Sequence, residues 1–414
     1  MPRLRVFVFF VGGFFLSYLY RTVNAVLAPD LVAGFGLRAD QLGLLTSVFL
    51  LAFAGFQPVL GVLLDRFGPR RVESALLLVA AGGALLFAAA EDVTDLLLGR
   101  ALIGVGVSAC LMAGLQANAL WFSGPRLALI NGLFLAIGGL GAVSAGAPVE
   151  LALTFTDWRG VLRAVAGITL ALALAQFLFI PERTAHDRPT GLRELLEGLR
   201  QICTSRLFWQ VAPLTMLSQG SALAFHGLWA GPWLADVADL GRLAIATHLS
   251  TLSASMVAGF FLTGVATERL GRVGLTPKQV AGGAMALFIV VQVLIVAWPH
   301  GPTLWLWAAY GLFGTAGIIT YTTLTQHFGV AMAGRANTAS TLTVFGCAFL
   351  LQAGTGLLLE PFALAEPGHY AADGHRLAMA LTIALQLLAL AWYVGFRAGG
   401  RPGPPVGGDP APRV

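Results

Sequence analysis

The chain has 414 residues, of which 57% are hydrophobic and only 11% are charged. Soluble globular domains carry about 25% charged residues, so this composition excludes an ordinary soluble protein and indicates a polytopic membrane protein. The net charge of +5 comes from arginines dispersed between apolar runs, which favours membrane topology over nucleic-acid binding. The three cysteines show no metal-ligand spacing, and we expect neither a metal site nor a cofactor.

Apolar runs that are long enough to cross a hydrocarbon core of about 30 Å as helices follow one another along the chain. They predict an all-α polytopic membrane protein with twelve transmembrane helices, arranged in two pseudo-symmetric halves of six. The predicted ranges are 6–29, 41–64, 71–90, 95–121, 126–149, 159–180, 207–234, 243–266, 279–298, 302–328, 336–359 and 376–396.

The basic residues predict the orientation of these helices. Met1–Phe15 resembles a signal peptide, but the apolar run continues to Pro29 without a convincing cleavage site, so we expect a retained first helix. Of the 25 basic residues, 18 fall on the side that carries both termini and 5 on the opposite side. Since basic loops stay inside, we expect both termini in the cytoplasm of a bacterium and a multi-pass protein of its inner membrane.

The first predicted helix carries a polar stripe with an arginine in it. Ser17, Tyr18, Arg21 and Asn24 have the spacing i, i+1, i+4, i+7, which is one helix face. A charge near the middle of a bilayer costs at least ~2.5 kcal/mol, so this face should line a cavity. Because a guanidinium binds a carboxylate through two parallel hydrogen bonds, we expect Arg21 to bind the anionic group of a substrate. The alternative is a structural acid or backbone carbonyl groups as its partner.

The acidic residues offer Arg21 no such partner. All twenty lie in predicted loops, in the tail or within a turn or two of a predicted helix end, with Asp30, Glu73 and Glu150 among those nearest to the membrane. We therefore predict that the membrane interior holds no acid. This weakens a cation exporter, which commonly needs one.

A sequence repeat indicates that the chain consists of two related halves. The segment GVLLDRFGPRR at 61–71 returns as GVATERLGRVG at 264–274, and the same offset of 203 residues places Pro29 on Pro232. Parallel halves around a central site are a transporter architecture. The predicted organisation is an N-terminal six-helix half, a cytoplasmic linker with an amphipathic helix in GLRELLEGLRQI, a C-terminal six-helix half and a disordered cytoplasmic tail, at 1–180, 181–206, 207–397 and 398–414.

These repeated segments resemble the signature of the major facilitator superfamily, G-x-x-x-D-[R/K]-x-G-[R/K]-[R/K]. A second pattern of that family, L-x-x-x-R-x-x-x-G-x-G, is matched in the fourth helix by Leu96, Arg100, Gly104 and Gly106, with Ile103 in a usually polar place. The resemblance covers essentially the whole chain and implies that family's fold. It also implies a conformational latch, formed here by Gly61, Asp65, Arg66, Gly68, Arg70, Glu268, Arg269 and Arg272.

Within that superfamily, the first helix is similar to that of the anion:cation symporters, which carry a tyrosine followed by Asp-Arg. Tyr18 and Arg21 match, but Tyr20 stands in the acid position. The 203-residue offset places Ala224 opposite Arg21, so His226 should lie across the cavity at similar depth. Histidine titrates near physiological pH, which makes His226 the candidate for proton coupling; the alternative is a neutral, hydrogen-bonding histidine.

The residues together predict a secondary active transporter that moves a small organic anion of carboxylate type by alternating access. The predicted substrate-binding residues are Tyr18, Arg21, Asn24, Gln219, His226, Trp229 and Tyr321. The expected partners are this small molecule, the lipid bilayer and protons, without nucleic acid, and we expect a monomer. Facilitated diffusion or anion exchange fits the lack of buried acids equally well.

Three other functions are the alternatives to an anion transporter. A multidrug or neutral-metabolite exporter shares the same architecture. A non-transporting sensor would need a folded regulatory domain, which neither the short linker nor the Pro- and Gly-rich tail supplies. The helices contain no carboxylate pair, His-x-x-His spacing or nucleophile–base pair, so we predict that the protein is not an enzyme.

Overall fold

The structure is a computed structural model that describes residues 2–122, 126–181, 192–328 and 332–395. The predicted tail, 398–414, and linker residues 182–191 lie outside the described residues. The helices are α1 Pro2–Thr22, α2 Asn24–Phe35, α3 Ala39–Ala89, α4 Val93–Gly106, α5 Cys110–Trp121, α6 Arg126–Ser144, α7 Ala147–Ala152, α8 Trp158–Phe179, α9 Leu192–Cys203, α10 Arg206–Ala224, a π-helical turn Phe225–Trp229, α11 Ala230–Asp236, α12 Arg242–Arg272, α13 Pro277–Ala297, α14 Thr303–Gly314, α15 Ile318–Phe328, α16 Ala333–Leu359, a 3₁₀ turn Glu360–Phe362 and α17 Ala372–Gly395.

Within the described ranges, nine helical stretches are individually long and apolar enough to span a membrane. One of them, α3, holds two crossings because it folds back at Gly68, and two further crossings are broken helices. These are α6 with α7, and α10 with the π-helical turn and α11. The twelve crossings confirm the predicted fold class.

The turn inside α3 shows why a glycine stands there. Gly68 has φ 76° and ψ 163°, a left-handed φ that residues with a Cβ rarely adopt. Pro69 follows at the first position of the second helical segment, where its missing N–H costs nothing. The turn at Gly68 thus separates the two crossings that α3 holds.

The glycines of the fourth-helix pattern allow close helix packing. A Cβ at Gly104 would lie 2.5 Å from the carbonyl oxygen of Phe49, and one at Gly106 would overlap the backbone of Ala80. Both contacts join α4 to α3. Only glycine lets the two backbones approach this closely.

The bundle has two ends, which we name by their contents. The terminal face carries the first residues of α1, the Gly68 turn, α9 and the last residues of α17. The distal face carries the end of α2, the start of α12 and the end of α16. Helix α9 occupies part of the predicted linker and buries Leu199 and Ile202 while Leu196 stays exposed.

Candidate functional site

A cavity of about 390 Å³ lies between the two halves near the middle of the bundle. Both halves contribute to its wall, and the residues from α5, α12 and α15 extend it toward the terminal face. Its lining includes Ser17, Tyr18, Arg21, Phe53, Gln57, Leu111, Met112, Leu115, Gln219, His226, Met256, Phe260, Tyr321, Asn337, Thr341, Val344 and Phe345. The structure thus brings together five of the seven predicted substrate-binding residues.

Arg21 is the cation of this cavity wall. Its guanidinium carbon lies 4.9 Å from the ring centre of Tyr18, 5.1 Å from that of Phe53 and 5.2 Å from that of Phe345. In the part of the chain that the structure describes, no acid forms an ion pair with it, and its Nε has no hydrogen-bond partner. Aromatic faces attract a cation without neutralising it, so the N–H donors of Arg21 stay available to a ligand.

The second intramembrane arginine, Arg100, binds backbone carbonyl groups and is not part of the cavity lining. Its side chain is buried, its Nη1 donates to the carbonyl oxygen of Tyr20 at 2.6 Å, and its Nη2 donates to that of Arg21 at 3.4 Å. These carbonyl groups lie in the last turn of α1, and Val23, between α1 and α2, keeps helical φ and ψ. Arg100 therefore fixes the backbone from which the Arg21 side chain enters the cavity.

On the opposite wall, His226 lies in the π-helical turn Phe225–Trp229. Its Nε2 is 2.8 Å from the hydroxyl oxygen of Ser253 in α12. Arg21 is close enough to act on the His226 ring electrostatically. π-Helical turns are rare and occur frequently at functional sites, and the sequence spacing alone did not predict this one.

Two predicted site residues lie outside the cavity lining. Asn24 is buried and its Nδ2 donates to the hydroxyl of Thr46 in α3 at 3.4 Å. Trp229 is fully buried and its Nε1 donates to the carbonyl oxygen of Gln352 at 2.9 Å. Both make contacts on the distal side of the cavity, and their part in substrate binding stays a prediction.

Apolar side chains dominate the rest of the wall. Phe53 of the first half and Phe345 of the second half stack with ring centres 4.8 Å apart and an interplanar angle of 10°. Leucine, methionine and phenylalanine side chains from α5, α12 and α16 continue this surface. The cavity therefore combines one unneutralised cation with a largely apolar wall.

The distal end of the cavity is closed by charged contacts between the halves. Arg242 at the start of α12 binds Asp30 of α2 at 2.5 Å and Glu150 of α7 at 2.6 Å. The backbone N–H of Ala39 donates to Glu360 at 3.1 Å, and Arg38 lies 3.4 Å from the same carboxylate. The hydrogen bond with Asp40, then the charge of Asp40 and then that of Glu360 raise the pKa of Arg38 above its ordinary value.

The predicted latch residues lie at the terminal face. Arg70 donates to the carbonyl oxygen of Ile180 at 2.7 Å. Glu268 pairs with Arg272 one turn along its own helix. Asp65, Arg66 and Arg269 are exposed. Among the residues that the structure describes, the acids of the two repeated segments therefore show no ion pair across the halves. The latch role of all these residues, with Gly61, stays a prediction.

The prediction that the membrane interior holds no acid is wrong. Glu73 lies in the second segment of α3, five residues beyond the Gly68 turn, and its side chain is fully buried. Its nearness to a helix end suggests exposure, but α1, α5 and α8 pack around it, with contacts from Gly13, Cys110 and Gln176.

Over the described ranges, no cluster of three or more His, Cys, Asp or Glu side chains is arranged to hold a metal ion.

Comparison with known families gives one match that spans most of the chain. The sequence model described as Major Facilitator Superfamily matches residues 9–357. Among solved structures, the nucleoside transporter NupG has a TM-score of 0.77 at 14% identity and covers 95% of this chain and 99% of its own. A bacterial homolog to the human lysosomal transporter Spinster, in an inward-facing and occupied conformation, has a TM-score of 0.75 at 19% identity, and the match covers 95% of this chain and 96% of that one.

Curated relatives are more similar in sequence but match over shorter lengths. The probable sulfoacetate transporter SauU of Cupriavidus necator is 26% identical over 62% of this chain and 63% of its own length. The nitrate/nitrite transporter NrtP of Picosynechococcus is 28% identical over 50% and 44%. The hexuronate transporter of Escherichia coli K12 is 25% identical over 52% and 49%. The chain thus spans about half to just under two thirds of these relatives.

Proposed function

Because the chain belongs to the Major Facilitator Superfamily, we propose that it is a secondary transporter that moves an organic anion across a bacterial inner membrane by alternating access. The observation that carries this proposal is Arg21, a cation in the central cavity that no acid of the described chain neutralises. That family consists of transporters, so the prediction that the chain is not an enzyme is confirmed.

The wall around Arg21 supports a particular kind of anion. A guanidinium presents paired N–H donors that fit the oxygens of a carboxylate or a sulfonate. The rings of Tyr18, Phe53 and Phe345 surround the same group, and the remaining wall is largely apolar. This favours an anion with a planar or apolar body over a polyhydroxylated one, whose hydroxyl groups would lose hydrogen bonds to water.

The asymmetry of the cavity supports a direction for its opening. The cavity extends toward the terminal face, while ion pairs close the distal face. With the arginine-rich face in the cytoplasm, as the positive-inside rule predicts, this conformation is open to the cytoplasm. Asn24 and Trp229, which lie on the closed side, would approach a substrate only after the distal face opens.

Uptake into proteoliposomes tests the proposal. The probes are benzenesulfonate, its neutral analogue benzenesulfonamide, sulfoacetate and glucuronate. We expect saturable uptake of benzenesulfonate and none of the sulfonamide, with sulfoacetate and glucuronate transported less well. Uptake should be lost in Arg21→Ala and strongly reduced in Arg21→Lys. Arg163→Ala is the matched control because Arg163 is exposed in α8, away from the cavity.

Two outcomes would contradict the proposal. Equal uptake of benzenesulfonate and benzenesulfonamide would show that charge is not recognised and would favour a neutral-metabolite or multidrug exporter. Unchanged uptake in Arg21→Ala would remove Arg21 from the site.

A further inference from the structure

The first half contains a buried acid behind the cavity wall. The Glu73 side chain has no exposed surface. A Cβ on Gly13 of α1 would overlap its Oε1, so helix α1 lies directly against the carboxyl group. Within the described ranges, neither Glu73 oxygen has a hydrogen-bond partner in acceptable geometry. An ionised carboxylate in such a place costs several kcal/mol, so this arrangement accommodates the neutral, proton-carrying acid.

The neighbours of Glu73 suit both of its protonation states. The Gln176 amide of α8 and the Cys110 thiol of α5 lie beside the carboxyl group. Gln176 is fully buried, and neither its amide nitrogen nor its amide oxygen has another partner within the described residues. Its oxygen accepts a hydrogen bond from a protonated carboxyl group, and its NH₂ group donates one to a carboxylate. A small rotation of one amide therefore serves either state.

Glu73 and the anion site have one neighbour in common. Cys110 of α5 lies beside the Glu73 carboxyl group and also interacts electrostatically with Arg21. Ser17 lines the cavity, and its hydroxyl donates to the carbonyl oxygen of Val107, three residues before Cys110, at 3.4 Å. A positive charge near an acid favours the ionised acid, and an anion that neutralises this charge favours the neutral acid.

We propose that Glu73 is the proton-binding site of this transporter and that it carries one proton for each monovalent anion bound at Arg21. At the open face a proton from water forms the O–H bond on a Glu73 oxygen as the anion binds, and it returns to water when the anion leaves. The loaded site holds Arg21⁺, the anion and neutral Glu73; the empty site holds Arg21⁺ and ionised Glu73. Both forms are neutral, so neither moves a net charge through the membrane. This inference rests on the proposed anion site.

The cavity histidine fits this role less well. His226 interacts electrostatically with Arg21 in the cavity wall, so protonating its ring places a second positive charge on that wall, which is unfavourable. The groups that face Glu73 from the neighbouring helices are Gly13, Cys110 and Gln176, none of which carries a positive charge. Arg70, on the same helix as Glu73, is engaged with Ile180.

Transport in proteoliposomes tests the coupling with benzenesulfonate as the probe. With one proton per anion, a gradient of one pH unit, acid outside, should drive roughly tenfold accumulation by the wild type. Glu73→Gln, which imitates the protonated acid, should lose this accumulation but keep the exchange of external for internal benzenesulfonate. Glu91→Gln, an exposed acid between α3 and α4, is the matched control and should accumulate the probe like the wild type.

Two further measurements on purified protein keep the test decisive if Glu73→Gln does not fold. Without ligand at low pH, infrared difference spectroscopy of the wild type should show a carboxylic-acid band in a buried setting. Adding benzenesulfonate to unbuffered wild-type protein near neutral pH should take up about one proton per anion. Accumulation by Glu73→Gln, no proton uptake, or coupling lost in His226→Gln alone would overturn the proposal. Absence of exchange in the wild type would instead refute the anion function, and the infrared band would still decide whether Glu73 carries a proton.

Discussion

The distal and terminal ends of the cavity differ in how the two halves meet. At the distal end, Arg242 binds acids of two helices from the first half, and Trp229 donates to the backbone of α16. At the terminal end, Glu268 pairs within its own helix and Asp65 is exposed. The same repeated architecture therefore carries a closed contact at one end and separated charges at the other. Alternating access requires these two ends to exchange their states.

A glycine substitution at the distal contact should have the largest effect on this difference. A Cβ at Gly356 in α16 would overlap the carbonyl oxygen of Ala39 in α3, so Gly356→Ala should push the halves apart. Overpacking of this kind costs about 1–3 kcal/mol. We expect faster hydrogen–deuterium exchange in α2 and slower exchange in α5 and α15, since the terminal end closes as the distal end opens.

The matched control is Gly354→Ala, two residues away on the same helix, where a Cβ meets no atom within 4 Å. Its exchange pattern should equal that of the wild type. Faster exchange at both ends in Gly356→Ala would indicate simple destabilisation and would contradict the two-state interpretation.

Removal of the bridging cation should have a smaller effect in the same direction. In Arg242→Gln, Asp30 and Glu150 lose their shared partner and face each other without a cation. Because the Arg242 side chain is 44% exposed, we expect a shift of the conformational equilibrium by about 1 kcal/mol, or roughly fivefold. The exchange rate of the Asn24–Phe35 helix measures it.

The control for Arg242 is Arg376→Gln, which removes another distal ion pair, between Arg376 and Asp373 of α17. That pair lies within one helix and does not join the halves, so the exchange of α2 should not change. An equal response of the two variants would show that the bridge across the halves is unimportant.

The smallest effect on this conformation is expected for Asp65→Asn at the terminal face. Asp65 is exposed here, and a surface substitution of this kind changes stability by less than about 0.5 kcal/mol. If the latch forms only when the terminal end closes, the benzenesulfonate dissociation constant should stay within about twofold while the exchange rate across proteoliposomes falls. A normal exchange rate would remove Asp65 from the latch.

Much of the architecture could be predicted from the sequence because lipid imposes long apolar helices and the motif glycines mark close contacts. The twelve crossings and the turn at Gly68 follow from hydropathy and from one residue type. The cavity position of Arg21 also follows from local rules, because a polar stripe in an apolar helix needs a polar surface to face.

The remaining features depend on contacts between distant parts of the chain. The helix spacing places Asn24 on the cavity-facing stripe, but its side chain is buried and donates to Thr46 of α3, a contact that local spacing does not reveal. The π-helical turn around His226 has no local sequence signal. The sequence places Glu73 near a helix end, and only the packing of three other helices around it shows that it is buried.

The central claim is that an anion binds Arg21 in the cavity, and isothermal titration calorimetry with benzenesulfonate tests it most directly. We expect binding by the wild type and Arg163→Ala with equal dissociation constants. Loss of the charged partner should weaken binding to Arg21→Ala by ~2 kcal/mol or more, which is roughly 30-fold, and benzenesulfonamide should not bind. Equal dissociation constants for the wild type and Arg21→Ala would contradict the account.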